Sequence, residues 1–471
     1  MVGDSLCWMQ SATNWPETGS EVIALQDSGT WNQVLRVLSL SDYNTRVVIL
    51  GTAALGVACG LIGSFMLLRK RSLMADTISH ATLPGIAFSF MLMVAFGGSG
   101  KWLPGLLLGA ALSGLLGMGL VLIISRFTRI KEDAALGIVL SVFFGLGVAL
   151  LGLVQKMSKG SAAGLESFIY GKTASMLTSD ALLIGAVAAL SVLTVLLLFK
   201  EFCLLCFDQD FAAAQGFPVG KLDVLLMTMV VLVTVIGLQA VGLILVIALL
   251  IIPPAAARFW TEKLTTMALI ASVFGGVGGA LGAALSAVVP KLPAGAVIVL
   301  TNSLFFALSL VFGSTRGVLV RFLEQRKLSR KVGRQHLMRA LFECLEKDGL
   351  QSVSFEGLLD HRSWSASELH RLLHQAERAG LISQGVEGIR LSAEGELQAA
   401  RIVRNHRLWE LFLINYADIA PSHVDRGADR VEHVLDPKTV HRLEELLDEE
   451  QKAASAISSP HPLGRIRKAD A

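Results

Sequence analysis

Arg69-Lys70-Arg71-Ser72-Leu73-Met74-Ala75-Asp76-Thr77-Ile78-Ser79-His80-Ala81-Thr82-Leu83-Pro84-Gly85 decides how this chain is read. Three consecutive cations give way to an apolar run whose opening turns hold a carboxylate and an imidazole. Lys and Arg beside a hydrophobic run mark the cytoplasmic edge of a membrane span, and ionisable groups inside such a run usually line a pathway. Working outward, apolar blocks lie at 47–68, 81–97, 102–125, 134–154, 181–200, 223–258, 264–289 and 294–313. Each is long enough to cross a bilayer as a helix that satisfies its own backbone.

Composition agrees. Of 471 residues 53% are hydrophobic and only 17% charged, too apolar for an ordinary soluble protein. From 314 onward the chain reads instead as a soluble protein, so it divides into two domains in two solvents. The predicted fold is an all-α polytopic membrane domain of eight or nine transmembrane helices, then a mostly-α winged-helix region with a helical metal-binding and dimerisation segment. Five scattered cysteines form no disulfide framework. Cys203-x-x-Cys206 reads as two small residues packed on one helix.

Further basic clusters lie at Arg126, Arg129 and Lys131 and across Arg316 to Arg334. With all clusters inside, an odd number of crossings is needed, and nine with an external N-terminus fits best. The 223–258 block exceeds one untilted span and is interrupted by Gly237-Leu238-Gln239-Ala240-Val241-Gly242, which predicts a hairpin or broken helix. Small residues from Gly275 to Gly282 at four-residue spacing imply close helix packing, as an interior seam or a homodimer contact.

Asp76 and His80, four apart, share a helical face. Together they suit a divalent transition metal; alternatively Asp76 caps the helix and His80 bonds a neighbouring one. The stretch resembles the "DxxSHAxLPG" segment of the ABC-type manganese, zinc and iron permease family. Other elements come in order: Glu132-Asp133 with Gly137 resembles its "ED" element, and Phe207-Asp208-Gln209-Asp210 through Gly216 its "FDPEFAxxxG" loop. Gln239 to Gly242 through Pro253-Pro254 resembles "QxVGxxLVxALLxxPAA", and Pro293-Ala294-Gly295 its "PTG", with Ala for Thr.

The resemblance implies a metal-conducting permease in the cell inner membrane, fed by an extracytoplasmic metal-binding protein and paired with a second permease copy or paralogue. A separate cytoplasmic ATPase would drive it, docking on Phe207, Asp208, Asp210 and Gly216. No nucleotide is expected on this chain. Its Walker-like fragment Gly171-Lys172-Thr173 lacks the required upstream glycine, because Glu166 stands there.

Residues 314–334 read as a basic linker that would hold anionic lipid and expose sites for proteolysis able to release the soluble region. Ser365-x-x-Glu368 is a capping box opening a helix to Arg378, and 381–391 reads as two short strands around a turn. Helix, turn, helix and wing is a DNA-binding arrangement offering Ser367, His370, Arg371 and His374 to the groove and Arg378 to phosphate, although such folds also serve as plain interaction modules. Asp429, Glu432 and His433 fall on one helical face with ligands suited to manganese or ferrous iron.

These segments, with His336, resemble the diphtheria-toxin-repressor and manganese-repressor family. The resemblance implies a primary metal site of His336, Asp429, Glu432 and His433 and an ancillary one of His406, Glu410 and His423. His336 replaces Met or Asp, and Asp429 replaces the Cys of iron-type members.

The expected domains are 1–45 extracytoplasmic, 46–313 permease, 314–334 linker, 335–400 winged helix, 401–464 metal-binding and dimerisation region and 465–471 tail. The leading expectation is ATP-driven import of manganese, iron or zinc, with no covalent chemistry on this chain and a fused metal-dependent repressor that binds operator DNA. Its rival keeps the C-terminal region on the transporter as a sensor that gates transport.

Overall fold

The computed structural model describes residues 37–156, 171–348, 351–416 and 437–446, apart from residues 38, 72, 99, 101, 172, 290, 291 and 363. Contacts divide the chain into two units, Met1–Arg321 and Phe322–Ala471.

In the first unit the helices are α1 (Tyr43–Leu68), α2 (Met74–Ala95), α3 (Leu103–Phe127), α4 (Glu132–Lys156) and α5 (Thr178–Leu197). Two short helices come next, α6 (Phe199–Phe207) and α7 (Gln209–Ala214). Then come α8 (Val219–Val241), α9 (Leu243–Ala257), α10 (Leu264–Val288) and α11 (Ala294–Phe312). Among the described residues eight of these are long and apolar enough to cross a membrane, and α9 has 15 residues. At 1.5 Å per residue α9 spans about 22 Å, short of a hydrocarbon core of about 30 Å.

The long apolar block breaks at Gly242, which adopts φ 86° between α8 and α9. Only glycine takes that conformation without a Cβ clash. A Cβ on Gly237 would lie 2.6 Å from Val246 Cγ2, so the chain folds back at the break. Further along α9, Pro254 has no N–H to give the Leu250 carbonyl, and that carbonyl lies 2.1 Å from where a Gly63 Cβ would stand. α9 and α1 therefore meet almost backbone to backbone.

The glycine stripe is an interior seam. A Cβ on Gly56 would sit 2.1 Å from the Gly275 carbonyl oxygen, and one on Gly60 2.2 Å from that of Ala271. Such close approach of α1 to α10 is the membrane alternative to knobs-into-holes packing, because lipid supplies no hydrophobic drive between helices.

α12 (Val318–Asp348) begins at the end of the first unit and runs into the second. The basic segment predicted as a linker is thus the first half of a helix that continues through His336. Next come α13 (Phe355–His361), α14 (Ala366–Arg378), β1 (Ile382–Gly385), β2 (Gly388–Leu391), α15 (Ala393–Tyr416) and α16 (Pro437–Leu446). Ser354 caps α13 by accepting from the Gly357 amide at 3.1 Å, and Ser365 caps α14 by accepting from that of Glu368 at 3.2 Å. Gly380, at φ 71°, ends α14, with Leu381 N–H returning to the Ala376 carbonyl at 3.0 Å. β1 and β2 pair antiparallel with Ile382 opposite Leu391, and Val353 bridges to Ile389. Leu337, Leu341, Leu358, Leu369, Leu373 and Ile389 form this unit's core.

Candidate functional site

Asp76 and His80 occupy the first two turns of α2. The Asp76 carboxylate lies 3.4 Å from His80 Nε2, and neither side chain is fully buried, at 36% and 20% exposed. The helix N-cap is Leu73 and makes no side-chain cap, so the carboxylate faces the imidazole along the helix. Phe144 of α4 backs the His80 ring edge-on, with centroids 4.9 Å apart. Pro84, four residues on, cannot donate to the His80 carbonyl, which adds a polar oxygen near the pair. Ser79 Oγ and Thr82 Oγ1 are satisfied by their own helix, through the carbonyls of Ala75 and Ser79. Gly85 brings α3 close, its Cβ position lying 2.1 Å from the Gly109 carbonyl oxygen.

Just before this helix lies a buried ion cluster that no local sequence pattern announces. Arg71 pairs with Asp223 of α8 at 2.7 Å and with Glu132, the first residue of α4. Arg69 pairs with the same Asp223 oxygen at 3.1 Å and donates to the Leu205 carbonyl of α6 at 3.0 Å. The Gln209 amide, oriented to accept, takes two more bonds from Arg69. Two cations and two carboxylates thus tie the α1–α2 turn to α4, α8 and the α6–α7 turn. Lys70 between them has φ 59°, a left-handed conformation rare for a side-chain-bearing residue. It turns both arginines inward. Asp223 at the head of an apolar block was the available signal, since an intramembrane carboxylate wants a cation.

The α6–α7 turn carries the loop predicted to dock an ATPase. Asp208 caps α7 by accepting from the Phe211 amide at 2.9 Å, Asp210 lies in the first turn, and Gly216 sits at φ 83° in open space. Phe207 and Phe211 are exposed. Cys203 and Cys206 pack on the neighbouring core, and burial pushes the Cys206 thiol up to about 12. It stays protonated at physiological pH, unsuited to nucleophilic or ligand chemistry.

At the opposite end of the bundle three further motifs converge. Gln239 donates to Asp180 of α5 at 3.1 Å. Gly171 presses on the Val241–Gly242 break, its Cβ position 2.3 Å from the Val241 carbonyl carbon, and a Cβ on Gly295 would stand 3.7 Å from the Val241 oxygen. Gly171, the first residue of the Walker-like fragment, therefore belongs to this packed end.

In the second unit His406 and Glu410 are wholly buried one turn apart on α15, with His406 Nε2 3.1 Å from a Glu410 oxygen. Arg339 of α12 lies 2.9 Å from His406 Nδ1 and also pairs with Glu343 at 2.7 Å. A guanidinium only donates, so Nδ1 accepts and the ring proton points to Glu410. His336 Nδ1 meets Arg362 in the same way at 2.9 Å. His423, Asp429, Glu432 and His433 lie outside the described residues, and among the described residues no three His, Cys, Asp or Glu converge as a metal site. Manganese or ferrous iron accepts such mixed N/O donors, but in this arrangement both ring nitrogens are occupied, so His406 would ligate an ion only by giving up its Nε2 proton or its contact with Arg339.

On α14, Ser367, His370, Arg371, His374 and Arg378 are all exposed, while Leu369, Leu372, Leu373 and Ala376 face the core. The residues expected at DNA thus share the solvent face.

Comparison with known proteins fits both halves. A family model described as the ABC 3 transport family matches residues 41–313, and one described as the iron dependent repressor, metal binding and dimerisation domain matches 392–455. The chain is 39% identical over 390 residues to the manganese transport system membrane protein MntC of Bacillus subtilis (strain 168), covering 83% of this chain and 88% of the relative. That length exceeds the 313 residues up to the end of the family match, so the similarity runs on into the soluble region. It is 46% identical over 289 residues to the zinc transport system membrane protein TroC of Treponema pallidum (strain Nichols), covering 61% of this chain and 95% of that protein. Among solved structures, PsaBC from Streptococcus pneumoniae in complex with Fab aligns at 31% identity and a TM-score of 0.53, over 62% of this chain and 99% of that one. The chain is a multi-pass membrane protein of the ABC 3 transport family, carrying a C-terminal region of the iron-dependent-repressor metal-binding and dimerisation type.

Proposed function

We propose that this chain is the permease subunit of an ATP-driven importer of manganese, iron or zinc in the cell inner membrane. The observation that carries the reading is the Asp76–His80 pair, 3.4 Å apart on a membrane helix and only partly buried. One carboxylate and one imidazole replace part of the ion's water, and Phe144 fixes the ring. The ion is cargo, so the pair must bind it weakly enough to let it leave. Energy would come from a separate ATPase seated on Phe207, Asp208, Asp210 and Gly216, whose turn is tied through Arg69 and Asp223 to the head of α2. An extracytoplasmic metal-binding protein would deliver the ion at the other end, and a second permease copy or paralogue would complete the channel. With the basic clusters inside, α9 counts as a pass and brings the total to nine, and the basic residues nearest the membrane, Arg316 and Arg321, would rest on anionic lipid.

The second unit acts in this reading as a winged-helix repressor, α14 entering the major groove and β1–β2 forming the wing. His406 and Glu410, with His423, would hold one regulatory ion, and His336, Asp429, Glu432 and His433 another. Such an ion would supply positive charge to the carboxylates and imidazoles named. The test is binding of the full-length protein to its own promoter with and without Mn(II) or Fe(II). A metal-dependent shift is expected, and its absence removes the repressor reading.

One observation favours a gating sensor instead: α12 runs unbroken from Val318 past His336, so a residue of the expected metal site stands on the same helix as the segment that follows the last apolar helix. Metal-dependent uptake rates in vesicles without DNA would support that reading.

A further inference from the structure

The first half of α12 does more than connect. Residues 321–331 are exposed along their whole length, and Gly333 then passes so close to α14 that a Cβ would fall 2.8 Å from Leu372. Ahead of that contact the two helices enclose a cleft of about 590 Å³, lined by Arg326 and Arg330 from α12 and by Arg371, Gln375 and Glu368 from α14. Arg326 and Arg330 are one turn apart and so share a face. None of the three arginines is ion-paired to a carboxylate among the described residues. Arg326 lies over the Phe322 ring at 4.2 Å, which orients the guanidinium without neutralising it. Glu368 is the one carboxylate on the lining, leaving a net positive cleft. Three guanidinium groups that face one space without partners repel one another, and a chain of phosphates relieves that repulsion. Arg371 also belongs to the exposed face of α14, so the cleft flanks the surface proposed to enter the major groove, where one DNA strand must pass.

We propose that this cleft seats a phosphodiester strand of duplex DNA, so that the basic half of α12 is part of the DNA-binding surface. The inference rests on the DNA-binding reading of the second unit. It has a consequence for proteolysis: a cut between Arg326 and Arg334 would release a weakened DNA binder.

The test uses full-length protein in phosphatidylcholine nanodiscs with Mn(II) and a labelled mixed-sequence duplex of about 30 bp, titrated between about 50 and 200 mM salt. Losing two phosphate contacts in R326Q/R330Q lowers the salt slope by about 1.8, so the affinity drop across that range shrinks about tenfold, while R326K/R330K keeps the wild-type slope. If R326Q/R330Q matches wild type while R378Q weakens binding, the cleft proposal falls and the DNA-binding reading stands. If wild type binds no duplex, both fall. Trypsin cleavage at Arg326 and Arg330 separates the sources of phosphate: protection by duplex supports the proposal, and protection only by phosphatidylglycerol added to the nanodiscs overturns it.

Discussion

Single residues give the sharpest expectations. If Asp76 and His80 pass the ion as proposed, replacing Asp76 by Asn or His80 by Ala removes one donor, and manganese uptake should fall more than about tenfold with assembly intact; unchanged uptake in both variants would move the pathway elsewhere. The left-handed turn at Lys70 costs about 1 kcal/mol that a glycine would not incur, so Lys70→Gly should raise the thermal midpoint in detergent. Cys206, its thiol pushed up to about 12 by burial, is protonated at pH 8. Iodoacetamide at pH 8 should leave it unmodified until the protein unfolds, as read by peptide mass mapping. At this scale the sequence was partly legible. Asp76 and His80 stand out because polar groups are rare in apolar runs. Arg69 and Arg71 read only as a topology signal, because their partners Glu132 and Asp223 are about 60 and 150 residues away and no local pattern links them.

At the scale of elements, the apolar blocks were readable because membrane helices must satisfy their own backbone hydrogen bonds. The break at Gly242 was visible from its glycines. Invisible was the length of α12: Arg316 to Arg334 reads as a solvated linker by charge, yet within the helix it contains no proline and its one glycine, Gly333, keeps a helical backbone against Leu372. The glycine seam was seen but not its partner, since packing α10 on α1 depends on tertiary approach. Gly56→Ala should cost about 1–3 kcal/mol, because the obstructing atom is the Gly275 carbonyl oxygen and backbone cannot yield. Gly119→Ala, with nothing within 4 Å of its Cβ position, should be neutral or stabilising by up to about 1 kcal/mol. Melting curves of the two variants compare them directly. Arg71→Leu strands buried carboxylates, and a loss of about 3–5 kcal/mol is expected.

For the whole molecule, a region of the ABC 3 transport family and a region of the iron-dependent-repressor type share one chain. A proline at Leu328, in the exposed half of α12, costs about 3 kcal/mol of helix. Uptake by Leu328→Pro should equal wild type if the second unit is a repressor, and should lose its response to metal if that unit gates transport. The central claim is ATP-driven metal import through the Asp76–His80 pair. Its most direct test is manganese uptake into proteoliposomes holding this chain and its ATPase, with the double variant Asp76→Asn/His80→Gln alongside. Uptake that needs ATP and disappears in the double variant is the expected result, whereas uptake that persists without ATP, or undiminished in the double variant, would contradict the account.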